Sequence, residues 1–206
     1  MFDNLIALIF IGNKVDLELG LPPELKEISV KKYPEVRGRV IAFNTAVRFD
    51  RSVELVLSAD DINVLYAEVY LEYLRRPIKH KAFESLDCFD IKNNEVLISE
   101  ISPFLFFTSN KSLINRRAVK FAIENGKLIE YRRFITVFSK NIDNSEYQLV
   151  KKGFSSGLIH FIIGSQTTDS RNSLQSIRKK IGKEPSPIIK NLKSIRAIDN
   201  KLILQS

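Results

Sequence analysis

The chain has 206 residues, 44% hydrophobic and 27% charged, with 32 Lys+Arg against 24 Asp+Glu for a formal net charge of +8. That balance belongs to a folding globular chain with room for one substantial core, not to a disordered one. A single cysteine, Cys88, excludes an internal disulfide framework, and two histidines, His80 and His160, exclude a His/Cys zinc cluster, so no metal or cofactor is expected.

The charge is unevenly placed: residues 1–110 hold 13 Lys+Arg and 17 Asp+Glu, net −4, whereas residues 111–206 hold 19 and 7, net +12. Such asymmetry points to nucleic acid or an anionic membrane surface, and it is also what two mutually attracting faces of one fold carry. The longest apolar run, Leu5 to Ile11, is far short of the ~20 residues that cross a bilayer. The start, Met1-Phe2-Asp3-Asn4, lacks the basic region of a signal peptide.

Taken in order, residues 1–34 read as an irregular N-terminal segment, interrupted by Gly12, Gly20, Pro22, Pro23 and Pro34, ahead of a single α+β domain over residues 35–206. Within the segment, Asn13-Lys14-Val15-Asp16 imitates the guanine-specificity loop of GTPases. No G-x-x-x-x-G-K-[ST] phosphate loop accompanies it, so a nucleotide site is not expected. Val40, Phe43, Ala46 and Val47 then recur at helical spacing up to Asp50, and Val53 to Leu57 form a short strand. Ser58 caps a helix predicted over Ala59–Arg76, with Asp60 and Asp61 in its first turn and Pro77 beyond its end.

Hairpins follow. Phe89 and Ile91 alternate into Asn93-Asn94 and out through Val96 and Ile98. For the next hairpin, around Glu124-Asn125-Gly126, the pattern favours an odd-length loop with Gly126 in a bulge. That register gathers Val119, Phe121, Ile123, Ile129, Tyr131, Ile135 and Val137 on one face; a two-residue turn would set Phe121 opposite Glu130. Two helices are predicted next, one carrying Tyr147, Val150, Phe154, Leu158 and Ile162, the other spanning Arg171 to Ile181. A last hairpin joins Ile195 and Ala197 to Leu202 and Leu204 through Asp199-Asn200. The expected fold class is therefore α+β, an antiparallel sheet of hairpins packed against several helices.

No catalytic constellation emerges. Cys88 in "LDCFDIK" and His80 in "KHK" have no spacing logic, His160 between Ile159 and Phe161 reads as a helix residue, and neighbouring Asp60 and Asp61 do not face one another on a helix. Two binding readings remain. Arg116, Arg117, Arg132 and Arg133 gather on the second hairpin near Lys120, Phe121, Tyr131 and Phe134, as a single-strand nucleic-acid binder needs. With Arg178, Lys179 and Lys180, the same arginines are candidate contacts for anionic lipid headgroups, and Phe104, Phe106 and Phe107 are candidates to line an apolar lipid cavity.

The pieces "LSADDIN" opening a helix after a strand, "AVKFAIENGKL" and the terminal "LKSIRAIDNKLIL" resemble a group of uncharacterised bacterial envelope proteins. The resemblance covers residues 53–76 and 113–206; Asn200 departs from the glycine usual there, and no anchor or leader is visible. It implies an α+β domain on the outer side of a membrane, in the bacterial envelope rather than the cytoplasm, with a helix lying across a curved antiparallel sheet. The leading expectation is a non-enzymatic membrane-surface module binding an apolar or anionic lipid; a basic nucleic-acid binder and a structural or protein-partner-docking domain are the alternatives.

Overall fold

The computed structural model of the protein describes residues 23–74, 86–103, 112–137, 140–142, 145–150, 157–164 and 187–206. The fold is α+β and mostly antiparallel sheet. Helix α1, Pro23–Arg48, runs through Pro34, so residues 23–34 are helical where the sequence pattern suggested irregular chain. Pro23 takes the first helical position, where a missing N–H is no loss. Pro34 forfeits one backbone bond at about 3 kcal/mol. Val36, Val40, Phe43 and Val47 offset that cost: they form a stripe at most 4% exposed, and each contributes about 1.5–3 kcal/mol on burial.

The helix ends in a Schellman turn. The Arg51 N–H donates to the Ala46 carbonyl at 3.0 Å and the Asp50 N–H to the Val47 carbonyl at 3.1 Å. Asp50 adopts the left-handed φ of 53° that this turn requires. Strand β1, Glu54–Ser58, follows and passes directly into helix α2, Ala59–Leu74. The Asp61 N–H donates to Ser58 Oγ at 3.1 Å, and the Ser58 N–H donates back to Asp61 Oδ2 at 3.0 Å, which makes the predicted cap a reciprocal capping box.

The main sheet is built from β2 (Leu86–Lys92), β3 (Glu95–Pro103), β4 (Ser112–Glu124) and β5 (Lys127–Val137), in that spatial order. Two short strands, β6 (Lys140–Asn141) and β7 (Gln148–Leu149), pair with β5. A second sheet has the order β1-β9-β8, with β8 at Ser194–Ile198 and β9 at Lys201–Gln205. The short helices α3 (Gly157–Gly164) and α4 (Pro187–Lys190) complete the described elements.

Asn93-Asn94 and Asp199-Asn200 form the expected two-residue turns, all four residues having φ between 50° and 60°. The middle hairpin departs from its expected register. Asn125 (φ 51°) and Gly126 (φ 68°) make another two-residue turn, and Phe121 lies opposite Glu130. Asn-Gly is the strongest signal for this turn type, and here it overrides apolar pattern. Val119, Phe121 and Ile123 therefore face the core, whereas Ile129 and Tyr131 fall on the opposite face. The register shift sits further along, between Arg116 and Arg117.

The predicted helix from Tyr147 is also corrected. Gln148 and Leu149 are strand, because the β5 edge offers backbone partners such as the Glu130 carbonyl, which accepts from the Val150 N–H at 2.9 Å. Leu158 and Ile162 do lie in a helix, Gly157–Gly164, while residues 151–156 and the predicted Arg171–Ile181 helix lie outside the described residues.

One core joins these layers. Leu55, Leu57, Ile195, Leu202 and Leu204 of the small sheet, Phe89, Ile91, Val96, Ile98 and Val119 of the main sheet, and Ile159, Phe161 and Ile162 of α3 are all buried in it. The Tyr66 ring of α2 packs 4.5 Å from Phe89 and 4.0 Å from Phe161, centroid to centroid.

Two strand edges are closed by helix side chains. The Asn63 amide donates to the Phe89 carbonyl at 2.8 Å and accepts from its N–H at 2.9 Å, standing in for a neighbouring strand beside β2. Arg39 Nη1 donates to the Val56 carbonyl of β1 at 3.0 Å while its Nη2 holds Asp61 at 2.9 Å.

Candidate functional site

The four arginines singled out in the second hairpin do not share a surface. Cross-strand register places Arg117 and Arg132 on the core-side face of the main sheet and Arg116 and Arg133 on the opposite one. Each also has a partner. Arg116 Nε donates to Ser99 Oγ at 3.0 Å, and Arg117 Nη1 meets Glu100 Oε2 at 3.1 Å. Arg132 pairs with Glu130, which is 5% exposed, and Arg133 Nη2 meets Glu95 Oε2 at 2.8 Å. Of the other candidates, Phe104, Phe106, Phe107, Arg178, Lys179 and Lys180 lie outside the described residues, as does His80.

Around Glu95 the opposite face forms a closed knot. Lys120 Nζ reaches Glu95 Oε1 at 3.6 Å and lies 4.4 Å from the centre of the Tyr147 ring, which also has the Arg133 guanidinium 5.8 Å away. Burial raises the Glu95 carboxyl, but the hydrogen bond from Arg133 and the charges of Arg133 and Lys120 outweigh it and hold the group below its usual value. Burial first, and then the Glu95 carboxylate, push the Tyr147 phenol up to about 12. These cations are committed to structure. Phe121 is packed on the core, leaving Tyr131, whose hydroxyl donates to Glu124 at 3.3 Å, and partly exposed Phe134 as the aromatics near them.

Cations of a second kind collect elsewhere. Arg48, Lys127 and Lys190, at the ends of elements, and Arg51 and Lys193, in the links beside them, are exposed and have no ion pair among the described residues. They meet at one corner for identifiable reasons. Asn191, just after α4, donates from Nδ2 to the Val47 carbonyl at 3.4 Å and to Asp50 Oδ1 at 3.1 Å, tying Lys190 to the end of α1. The Lys193 N–H donates to the Gln205 carbonyl at 2.8 Å, and the hydroxyl of neighbouring Ser206 donates to the Arg51 carbonyl at 2.8 Å. The Lys190 carbonyl lies 3.8 Å from where a Cβ on Gly126 would stand, next to Lys127. Acids at this corner are Asp50, engaged by Asn191, Glu54, and Glu124 across the turn from Lys127. Lys32, Lys140 and Lys201 are also unpaired, but they lie on other parts of the fold.

Phe49, in the turn that Asn191 ties down, is 71% exposed and lies between Arg48 and Arg51 in the chain. The sequence pattern gave a signal for it that went unused: Phe49 falls two residues past Val47, off the stripe that buries Val36, Val40, Phe43 and Val47. Cys88 lies on β2 of the main sheet and is exposed, and the packing of surrounding atoms and then the Asp87 charge push its thiol up. No group of His, Cys, Asp and Glu suited to a metal occurs among the described residues. No helix among the described residues is long and apolar enough to cross a membrane. Comparison with protein-family models, curated proteins and solved structures returns no match.

Proposed function

We propose that this protein is a non-enzymatic membrane-surface module that binds anionic lipid through the corner formed by Arg48, Arg51, Lys127, Lys190 and Lys193. One observation carries the reading: Arg117, Arg132 and Arg133 in the middle of the main sheet are paired with acids, while the corner cations are free of carboxylate partners and come from three elements, α1, β5 and α4, and the links beside them. An unpaired surface cation near an anionic bilayer contributes about 1 kcal/mol to binding. A paired one must first give up its partner. In this reading the hairpin sheets and the helices packed on them are the rigid scaffold that presents the corner.

The resemblance to envelope proteins noted from "LSADDIN" and "LKSIRAIDNKLIL" supports the same surroundings, and the bacterial envelope is the proposed location. Nucleic acid is the weaker reading, because Phe121 is packed inward and the arginines beside it are engaged. The test is co-sedimentation with vesicles of neutral lipid and of neutral lipid mixed with phosphatidylserine or phosphatidylglycerol, over a salt series. Binding to the anionic vesicles alone, weakening as salt rises, is the expected result. Indifference to lipid charge would refute the reading.

A further inference from the structure

The exposed side of α1 is unusual for a surface helix. From Gly38 to Thr45 its exposed positions are Gly38, Ile41, Ala42 and Thr45, none of them charged, and the row continues into Phe49. Ile41, Thr45 and Phe49 are spaced four apart and so lie one above another on the helix surface. Thr45 spends its hydroxyl inside the helix, donating to the Ile41 carbonyl at 2.8 Å. A solvated helix face normally carries charges at such positions; here half-exposed Arg37 and Arg39 lie at the start of the row, no charge follows from Val40 to Val47, and cations resume at Arg48. Ile41 is 41% exposed and Phe49 is 71% exposed.

The Schellman turn explains why Phe49 cannot simply tuck away. It occupies the last position before left-handed Asp50, and the Arg51 N–H and Asp50 N–H are bound to the Ala46 and Val47 carbonyls. Asn191 holds Asp50 and Val47 from outside, so the turn is fixed on both sides. The charge around this apolar row identifies what covers it. Arg48, Arg51, Lys190 and Lys193 lack acid partners, and Asp50, the acid nearest to Phe49 in the chain, is engaged by Asn191. An apolar helix row ending in a phenylalanine between Arg48 and Arg51, on a turn tied to the segment that carries Lys190, fits the boundary between headgroups and acyl chains of an anionic bilayer.

Resting on the membrane-surface reading, we infer that the module does more than adhere electrostatically: α1 lies along the bilayer with Phe49 inserted below the headgroups and Ile41 seated at their level. Binding then has a component that salt does not screen. The chain has no tryptophan, so Phe49→Trp creates a lone indole that reports on this position only. Because the site is exposed, the substitution leaves the fold intact, which circular dichroism confirms before use.

On adding phosphatidylglycerol-containing vesicles, the emission of Phe49→Trp is expected to shift to the blue and to be quenched by lipids brominated on the acyl chain. Phe134→Trp, placed on the main sheet, is expected to stay unchanged. Phe49→Ser, which keeps the charge, is expected to weaken binding by tenfold or more, given the transfer energy of a phenylalanine ring. If the wild-type chain binds no anionic vesicle, the membrane-surface reading itself fails and this inference with it. If the wild type binds but the Phe49→Trp emission stays that of an indole in water, and Phe49→Ser binds as well as wild type, insertion is overturned while electrostatic adherence stands.

Discussion

Arginines of the main sheet and cations of the α1–α4 corner are the same chemistry in two situations. On β4 and β5 the register decides: Arg117 has Glu100, Arg132 has Glu130 and Arg133 has Glu95, each an acid on the same face and within reach. At the corner, Arg48 and Lys190 come from the ends of helices, Lys127 from the start of β5 and Lys193 from the link before β8, where neighbours are mostly backbone termini and turns. The basic excess of the C-terminal half therefore says little about which cations meet a ligand. Availability is set by cross-strand neighbours, and a positively charged hairpin can be electrically closed.

Removing a partner should separate the two regions most sharply. Arg132→Ala leaves the buried Glu130 carboxylate uncompensated and is expected to cost about 3–5 kcal/mol, whereas Lys193→Ala should change stability by no more than about 0.5 kcal/mol. Urea unfolding of both variants checks the contrast, and equal losses would dissolve it. Asn63→Ala comes next. It strips two hydrogen bonds from the β2 edge at Phe89, for an expected loss of about 1–3 kcal/mol, with a newly exposed edge that promotes aggregation, visible by light scattering.

Acid should act on the paired region alone. Burial raises Asp61, but the Ser58 N–H and the Arg39 guanidinium outweigh it and hold the carboxyl low, and Glu95 is likewise depressed by Arg133 and Lys120 against its burial. A depressed folded pKa means stability that is present above the unfolded value, about 4 for a carboxyl, and is lost as pH falls through the lower folded value. Unfolding midpoints should therefore drop below about pH 4. Glu95→Gln should flatten part of that drop, while Lys190→Gln leaves it unchanged. The smallest effect is at the corner itself: each neutralised cation is expected to weaken anionic-vesicle binding about fivefold with stability intact.

Much of the scaffold was legible in the sequence because its signals are local. Ser58 and Asp61 announce a cap at three-residue spacing, Asn93-Asn94 and Asp199-Asn200 announce turns, and Ile195, Ala197, Leu202 and Leu204 alternate as a half-buried hairpin must. The errors share a cause in tertiary context. Pro34 reads as a breaker until the burial of Val36, Val40 and Phe43 is known, and Gln148 and Leu149 read as helix until the β5 edge is there to accept them. The middle hairpin misled because apolar pattern was weighed above Asn125-Gly126, and the buried Glu130–Arg132 pair makes the mixed face tolerable. The corner was illegible because Asn191 and Ser206 join segments separated by more than a hundred residues.

The most direct test compares one double substitution from the corner with one substitution from the sheet. Lys190→Gln combined with Lys193→Gln is expected to weaken binding to phosphatidylglycerol-containing vesicles by about thirtyfold at moderate salt. Arg116→Gln, an exposed sheet position bonded only to Ser99, is expected to bind as wild type does. Loss of binding in Arg116→Gln with the corner variant unaffected would contradict the central claim and return the ligand to the hairpin.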